Sequence, residues 1–248
     1  MKIRRLISIV SGIALLALAH SAAARPTWTT TSLQIPPTQV AGFVAAFDTL
    51  MSSKAGKQLA GRITLRAHLA DGPDPASHSV VALSESAAQA EANTAALSAD
   101  PAFGQFLDAV ATAVVQPGQT VRGIVLQSWG DLSDADTVWI NHFLTINDLP
   151  AVMNALNAYR ETATGKGAPG QSHLSQIQAG GLDSPSHVIS IGYASQAEME
   201  QFLDGTVGNS DLQALLAALN AASDYRGATL QVEMRAWGNA SIEDVTAP

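Results

Sequence analysis

The chain has 248 residues, of which 47% are apolar and only 5% aromatic, with no cysteine and a formal charge of −8. Such apolar content excludes a disordered chain, and the acidic balance excludes the basic surface that nucleic acid or an anionic membrane requires. The absence of cysteine excludes disulfides, thiol catalysis, Cys-ligated metals and a lipoprotein anchor.

Residues 1–24 read as a signal peptide: Lys2, Arg4 and Arg5 precede the apolar run Leu6–Ala19, and Ala22-Ala23-Ala24 supplies a small-residue cleavage site before Arg25. The run falls short of the roughly 20 residues that span a bilayer. The expected product is a periplasmic or secreted protein with no membrane association once the signal is removed. Without Lys2, Arg4 and Arg5 it carries 10 basic against 21 acidic residues, a charge near −11.

Trp28–Ile35 is rich in β-branched residues and reads as a strand. Pro36-Pro37-Thr38 opens a helix through about Ser53, with Val40, Phe43, Val44 and Phe47 at helical spacing. Arg62–Leu69 alternates polar and apolar as a half-buried strand, Asp71–Pro75 is a turn, and Ser77–Ser84 is a third strand. Helical sequence from Ser86 breaks near Ser98 and restarts at Asp100-Pro101, an N-cap followed by a first-turn proline. Thr120–Trp129 is the fourth strand.

After a linker at 132–137 the order recurs: strand Val138–Ile146, a helix from Asp148, strands His173–Ala179 and His187–Tyr193, helices from Ser195 and Asp211, and strand Ala228–Trp237. Residues 241–248 read as a flexible tail. Trp28 matches Trp139, Ile35 matches Ile146, His78 matches His187, and Trp129 matches Trp237, each in the same order and at nearly constant spacing. The chain is therefore a duplication, with halves at 25–131 and 138–240. Each half reads β-α-β-β-α-β, which gives an α+β fold: an antiparallel sheet with both helices on one face. The bare faces of the two sheets are expected to cover each other as an internal pseudo-dimer in a monomeric chain, with further self-association left open.

The element order, the helix interrupted at Ser98–Phe103 and the final strand ending in Ser128-Trp129-Gly130 resemble the dimeric α/β-barrel superfamily, in particular its antibiotic-biosynthesis-monooxygenase-like branch. The resemblance covers about 27–131 and 138–239 and implies two ferredoxin-like halves joined in one barrel. Its members include monooxygenases, haem-degrading enzymes, isomerases, haem peroxidases and proteins without known activity. Asn141 sits on a first strand as the haem-degrading relatives' Asn does, yet Trp139 and the strand-end Trp residues do not reproduce their full set. No catalytic residue is carried over.

Strand alternation assigns faces. It places Trp28, Thr30 and Ser32, together with Trp139, Asn141 and Phe143, on the face away from the helices. Arg62, Thr64, Arg66 and His68 share that face, as do Trp129 and Gln231, Glu233, Arg235 and Trp237. Ile63, Leu65 and Leu69 are expected to be buried against the helices, His142 to point at them, and His173 to join the polar face. Ligand-binding candidates are thus Trp28, Trp129, Trp139, Asn141, Glu233 and Trp237. His68 is the candidate general base, with Arg66 or Arg235 stabilising an enolate-like anion. Structural ion pairs and core plugs are the ordinary alternatives for these charges and indoles. His78 and His187 read as turn or packing residues rather than metal ligands. H-E-x-x-H, G-x-S-x-G and P-loop motifs are absent from the sequence, and no cofactor or metal is expected. Three readings remain: an exported binder of a small organic, aromatic-type molecule between the sheets, a cofactor-independent monooxygenase-like enzyme, or a packed structural module.

Overall fold

A computed structural model describes residues 25–72, 75–181 and 183–246. The signal expected at 1–24 lies outside the described residues.

The first half runs β1 (Thr27–Gln34), α1 (Val40–Met51), β2 (Arg62–Ala70), β3 (His78–Ser84), α2 (Ala87–Ala99), α3 (Pro101–Ala113) and β4 (Gln116–Gly130). The second runs β5 (Val138–Ile146), α4 (Leu149–Glu161), a four-residue α5 (Ala163–Lys166), β6 (Gln171–Ala179), β7 (His187–Tyr193), α6 (Gln196–Gly205), α7 (Ser210–Ala222) and β8 (Ser223–Gly238). The helix starts repeat at the atomic level. Ser86 and Ser195 each accept from the backbone N–H three residues on, and Asp100 and Asn209 each cap the next helix. Ser77 and Ser186 each accept a backbone N–H from the end of the first strand, Ile35 or Ile146, and hold the ring of the following histidine at 2.8 Å. His78 and His187 are therefore parts of the strand-end clamp.

The two sheets join in one barrel, as the resemblance implies. All eight strands form one closed antiparallel barrel in the order β1-β3-β2-β8-β5-β7-β6-β4. Each half contributes four neighbouring strands, and the long last strands β4 and β8 hydrogen-bond across to β6 and β2 of the opposite half. Closure leaves no unpaired sheet edge among the described residues. At both joins glycine faces glycine: a side chain at Gly130 would strike the Gly170 carbonyl, and one at Gly238 the Gly61 carbonyl. All four have positive φ, a conformation open chiefly to glycine.

The helices pack outside, over two separate cores. The first joins Leu33, Phe43, Phe47, Leu65 and Trp237 with Phe103 and Phe106. The second joins Leu144, Val152, Leu156, Leu174 and Ile189 with Leu215 and Leu219. Residues expected as a tail form α8 (Ile242–Thr246), which lies across one end of the barrel. Ile242 is 1% exposed, its N–H bonds Asp134 at 3.0 Å, and the Thr246 carbonyl lies 3.1 Å from Ser128 Oγ.

Candidate functional site

The first cavity is the barrel interior, about 360 Å³. Strand alternation places Trp28, Arg66, His68, Trp139, Asn141 and His173 on its lining, as expected from sequence. The Arg66 guanidinium lies 4.3 Å over the Trp139 ring, and Trp139 stacks on His173. Burial depresses Arg66 to about 10 against the pull of Glu233. His173 is pushed down to about 4, by burial first and then by Arg66 and Arg160, so it is neutral. Gln171 donates to the Ser133 carbonyl, which turns its own carbonyl to His173 Nε2 and leaves Nδ1 to Ser128. His68 stands with Nδ1 2.6 Å from Asp71 and Nε2 3.2 Å from the Gln231 amide, so the proton sits on Nδ1. Asp71 was not visible as its partner in the sequence because that contact is made by a turn.

Five expected placements fail, four of them from single-residue register slips. Between Leu65↔Arg235 and Arg66↔Glu233, β8 advances two residues against one on β2, which leaves Met234 as a bulge. A one-residue slip moves every later side chain to the other face. Arg235 and Trp237 therefore face the helices, where both bond Asp48. Leu126 is the matching extra residue on β4, and Trp129 turns outward to Asn157. A further slip between His68 and Ala70 leaves Leu69 50% exposed rather than buried. Glu233 keeps the inward phase yet is held off the lining by a 2.9 Å ion pair to Arg62, which also reaches Asp134 at 3.0 Å.

The second cavity, about 370 Å³, was not anticipated. It lies between the outer face of the second-half sheet and helices α4, α6 and α7. Its origin is visible when the halves are aligned on the Gly56 and Gly165 turns, where Ser53 and Thr162 make the same hydrogen bond to the glycine N–H. Phe43, Phe47, Phe103 and Phe106 of the first half then correspond to Val152, Leu156, Leu212 and Leu215. Four phenyl rings fill the first space, in edge and tilted contacts. Aliphatic counterparts leave the second open. Leu50 and Met51 become Tyr159 and Arg160, which line the cavity beside His142 and Tyr193. Arg160 donates to Ser172 and to the Gly165 carbonyl. Burial lowers the pKa of Arg160 and His142 and pushes Tyr193 up to about 12. At neutral pH the walls thus present the Arg160 cation, the neutral His142 imidazole and the neutral phenols of Tyr159 and Tyr193. His142 points at the helices as its strand position implied. The signal for this cavity was present in the sequence, as the loss of aromatic residues between matched helices.

No protein-family model and no curated protein sequence matches the chain. Its shape does have relatives. A candidate monooxygenase of Lactobacillus acidophilus superposes with a TM-score of 0.61 at 12% identity, over 88% of this chain and 98% of that one. A candidate monooxygenase of Fusobacterium nucleatum gives 0.59 at 6% identity over 88% and 97%. An anthrone oxidase-like protein gives 0.55 at 10% identity over 93% and 99%. The chain shares the fold of these structures, and its own topology joins two ferredoxin-like halves of one chain in a single closed barrel.

Proposed function

We propose that the protein binds a small aromatic molecule in the helix–sheet cavity of its second half, outside the cytoplasm if residues 1–24 act as the export signal. The observation that carries this is the asymmetry of the repeat: the space packed by four phenylalanines in one half is open, and gains Tyr159 and Arg160, in the other. Drift after duplication would be expected to leave a filled core, because an unfilled cavity costs stability in proportion to its volume. A cavity with a few convergent polar groups on an apolar wall has the composition of a ligand site. Exposed Leu203, Leu216 and Tyr225 stand at its margin and give a flat ligand an apolar approach.

A second reading, supported by the oxygenase-like structural neighbours, is that the bound molecule is oxidised there without a cofactor. In R₂CH₂ + O₂ → R₂C=O + H₂O the substrate supplies all four electrons. The protein's part is to take a proton from the activated methylene and hold the resulting enolate. Neutral His142 is the base this reading assigns and Arg160 the counter-charge.

Thermal shift with 1-naphthol and anthrone tests binding. Ligand at 100 times Kd stabilises the fold by about 2.7 kcal/mol, which is roughly 5–10 °C for a chain of this size. No shift from either compound on the folded protein contradicts the proposal. Conversion of anthrone to anthraquinone with one O₂ consumed per turnover, lost in His142→Ala with binding retained, is the result that supports oxidation.

A further inference from the structure

We propose that the barrel interior is a separate binding site for a small organic carboxylate, with its anionic end on Arg66 and an apolar ring against the walls. The proposal stands on the hydrogen-bond balance of the cavity and is independent of the helix–sheet site.

Arg66 is 6% exposed, and among the described residues no carboxylate oxygen lies within 4 Å of it and its Nε has no partner. Arg62, four residues earlier on the same face of β2, shows how the fold treats a buried guanidinium it means to neutralise: it holds both Glu233 and Asp134. Arg66 has the Trp139 ring face and the more distant Glu233 but no hydrogen-bond acceptor among the described residues, and a buried guanidinium is most favourably placed when an anion completes it. Two more buried donors share the space, Trp28 Nε1 and Trp139 Nε1, both lining it and both without partners among the described residues.

Several acceptors of the lining are already engaged, among them Asp71, whose Oδ2 faces His68 Nδ1. Asn141 Oδ1 takes the Ser190 hydroxyl, His68 Nε2 the Gln231 amide, and His173 Nδ1 the Ser128 hydroxyl. Glu233 Oε2 is an unpartnered acceptor, but Glu233 does not line the cavity. The buried groups of the lining left without a partner among the described residues, Arg66 Nε and the two indole N–H groups, are therefore all donors, and a group that satisfies them together is an anion. A carboxylate takes two parallel N–H bonds from a guanidinium. Val81, Leu83, Val121, Phe143 and Val188 supply the apolar wall for the rest of the molecule. Ile242 and Thr246 of α8 line one end, and Gln119, Asp183 and Arg226 line the other. The counterpart of Arg66 in the second half is Ser175, so the barrel offers one such anchor.

The test is a ¹⁹F NMR titration of the full folded chain with 4-fluorobenzoate, and with neutral 4-fluorobenzamide as the isosteric control. The expected result is saturable benzoate binding, at least tenfold weaker benzamide binding, and at least tenfold loss in Arg66→Met. If that variant does not fold, Trp139→Phe decides: it keeps the ring and removes the N–H, and a severalfold weakening is expected. Absence of saturable binding, equal affinity for the amide, or unchanged affinity in the folded variants overturns the proposal. So does loss of benzoate binding in Leu156→Phe/Leu215→Phe, which fills the other cavity and would place the anion there.

Discussion

Trp237 of the second half donates its indole N–H to Asp48 of the first at 2.7 Å, and Trp129 of the first half makes the same bond to Asn157 of the second at 2.9 Å. Each closing strand thus carries a tryptophan across the barrel and fastens it to the first helix of the opposite half. Trp237 also stacks on Phe47, with ring centroids 4.7 Å apart. The duplication is locked by exchange: neither half holds its own last tryptophan.

The two locks differ in charge, and this separates them experimentally. The Asp48 carboxyl is held below its usual range, first by the Trp237 hydrogen bond and then by Arg235. A carboxyl with a lowered folded pKa adds stability above its unfolded pKa, near 4, and loses it as pH falls through the folded value. Trp237→Phe keeps the stack and removes the N–H, so it is expected to cost about 1 kcal/mol near neutral pH. Urea denaturation at pH 7 and pH 3 should show this cost shrinking in acid. Trp129→Phe, opposite a neutral amide, should show the same cost at both.

The first-half core is expected to be less tolerant than the second. Phe47→Leu and Phe106→Leu would open a cavity among the packed rings and should each lower stability by about 1–3 kcal/mol. The reverse changes, Leu156→Phe and Leu215→Phe, enter existing space and should be neutral or stabilising. Paired melting curves of the four variants measure the difference.

Acid is expected to unfold the protein through its buried histidines. Burial lowers His173 to about 4 and also depresses His78, His142 and His187. A histidine whose folded pKa lies below its unfolded 6.5 binds fewer protons when folded, so stability rises with pH across the gap and is lost as pH falls from about 6.5 to 4. For His173 alone the upper bound is about 3 kcal/mol. His173→Gln should flatten the pH 4–6.5 limb of the stability profile, whatever its effect at pH 7.

Removing α8 tests its role as a barrel plug. Ile242 and Val245 are almost fully buried, and each such side chain contributes about 1.5–3 kcal/mol. A chain ending at Ala240 should lose several kcal/mol in urea denaturation and exchange the amides around Ser128 and His173 faster.

Much of this architecture was legible in the sequence because it depends on periodicity and on repeated anchors. Trp28/Trp139 and Ile35/Ile146 set the duplication, and the alternation of β2 put Arg66 and His68 inside. Most of the misplaced residues have one physical cause. Trp129, Arg235 and Trp237 follow a bulge and Leu69 is itself the extra residue of one, and a bulge is a tertiary accommodation at the strand joins with no signature in strand alternation. The tail was misjudged because its burial depends on a barrel end that exists only once both halves have closed. The helix–sheet cavity needed a residue-by-residue comparison of the halves, since each helix taken alone reads as an ordinary amphipathic one.

The central claim, that the second-half cavity is a ligand site created by the loss of aromatic residues, is tested most directly by calorimetric titration of 1-naphthol into the wild-type chain and into Leu156→Phe/Leu215→Phe. The account predicts saturable binding to the wild type and at least a tenfold loss in a variant that melts no lower. Equal affinity in the two proteins would place the ligand elsewhere and contradict it.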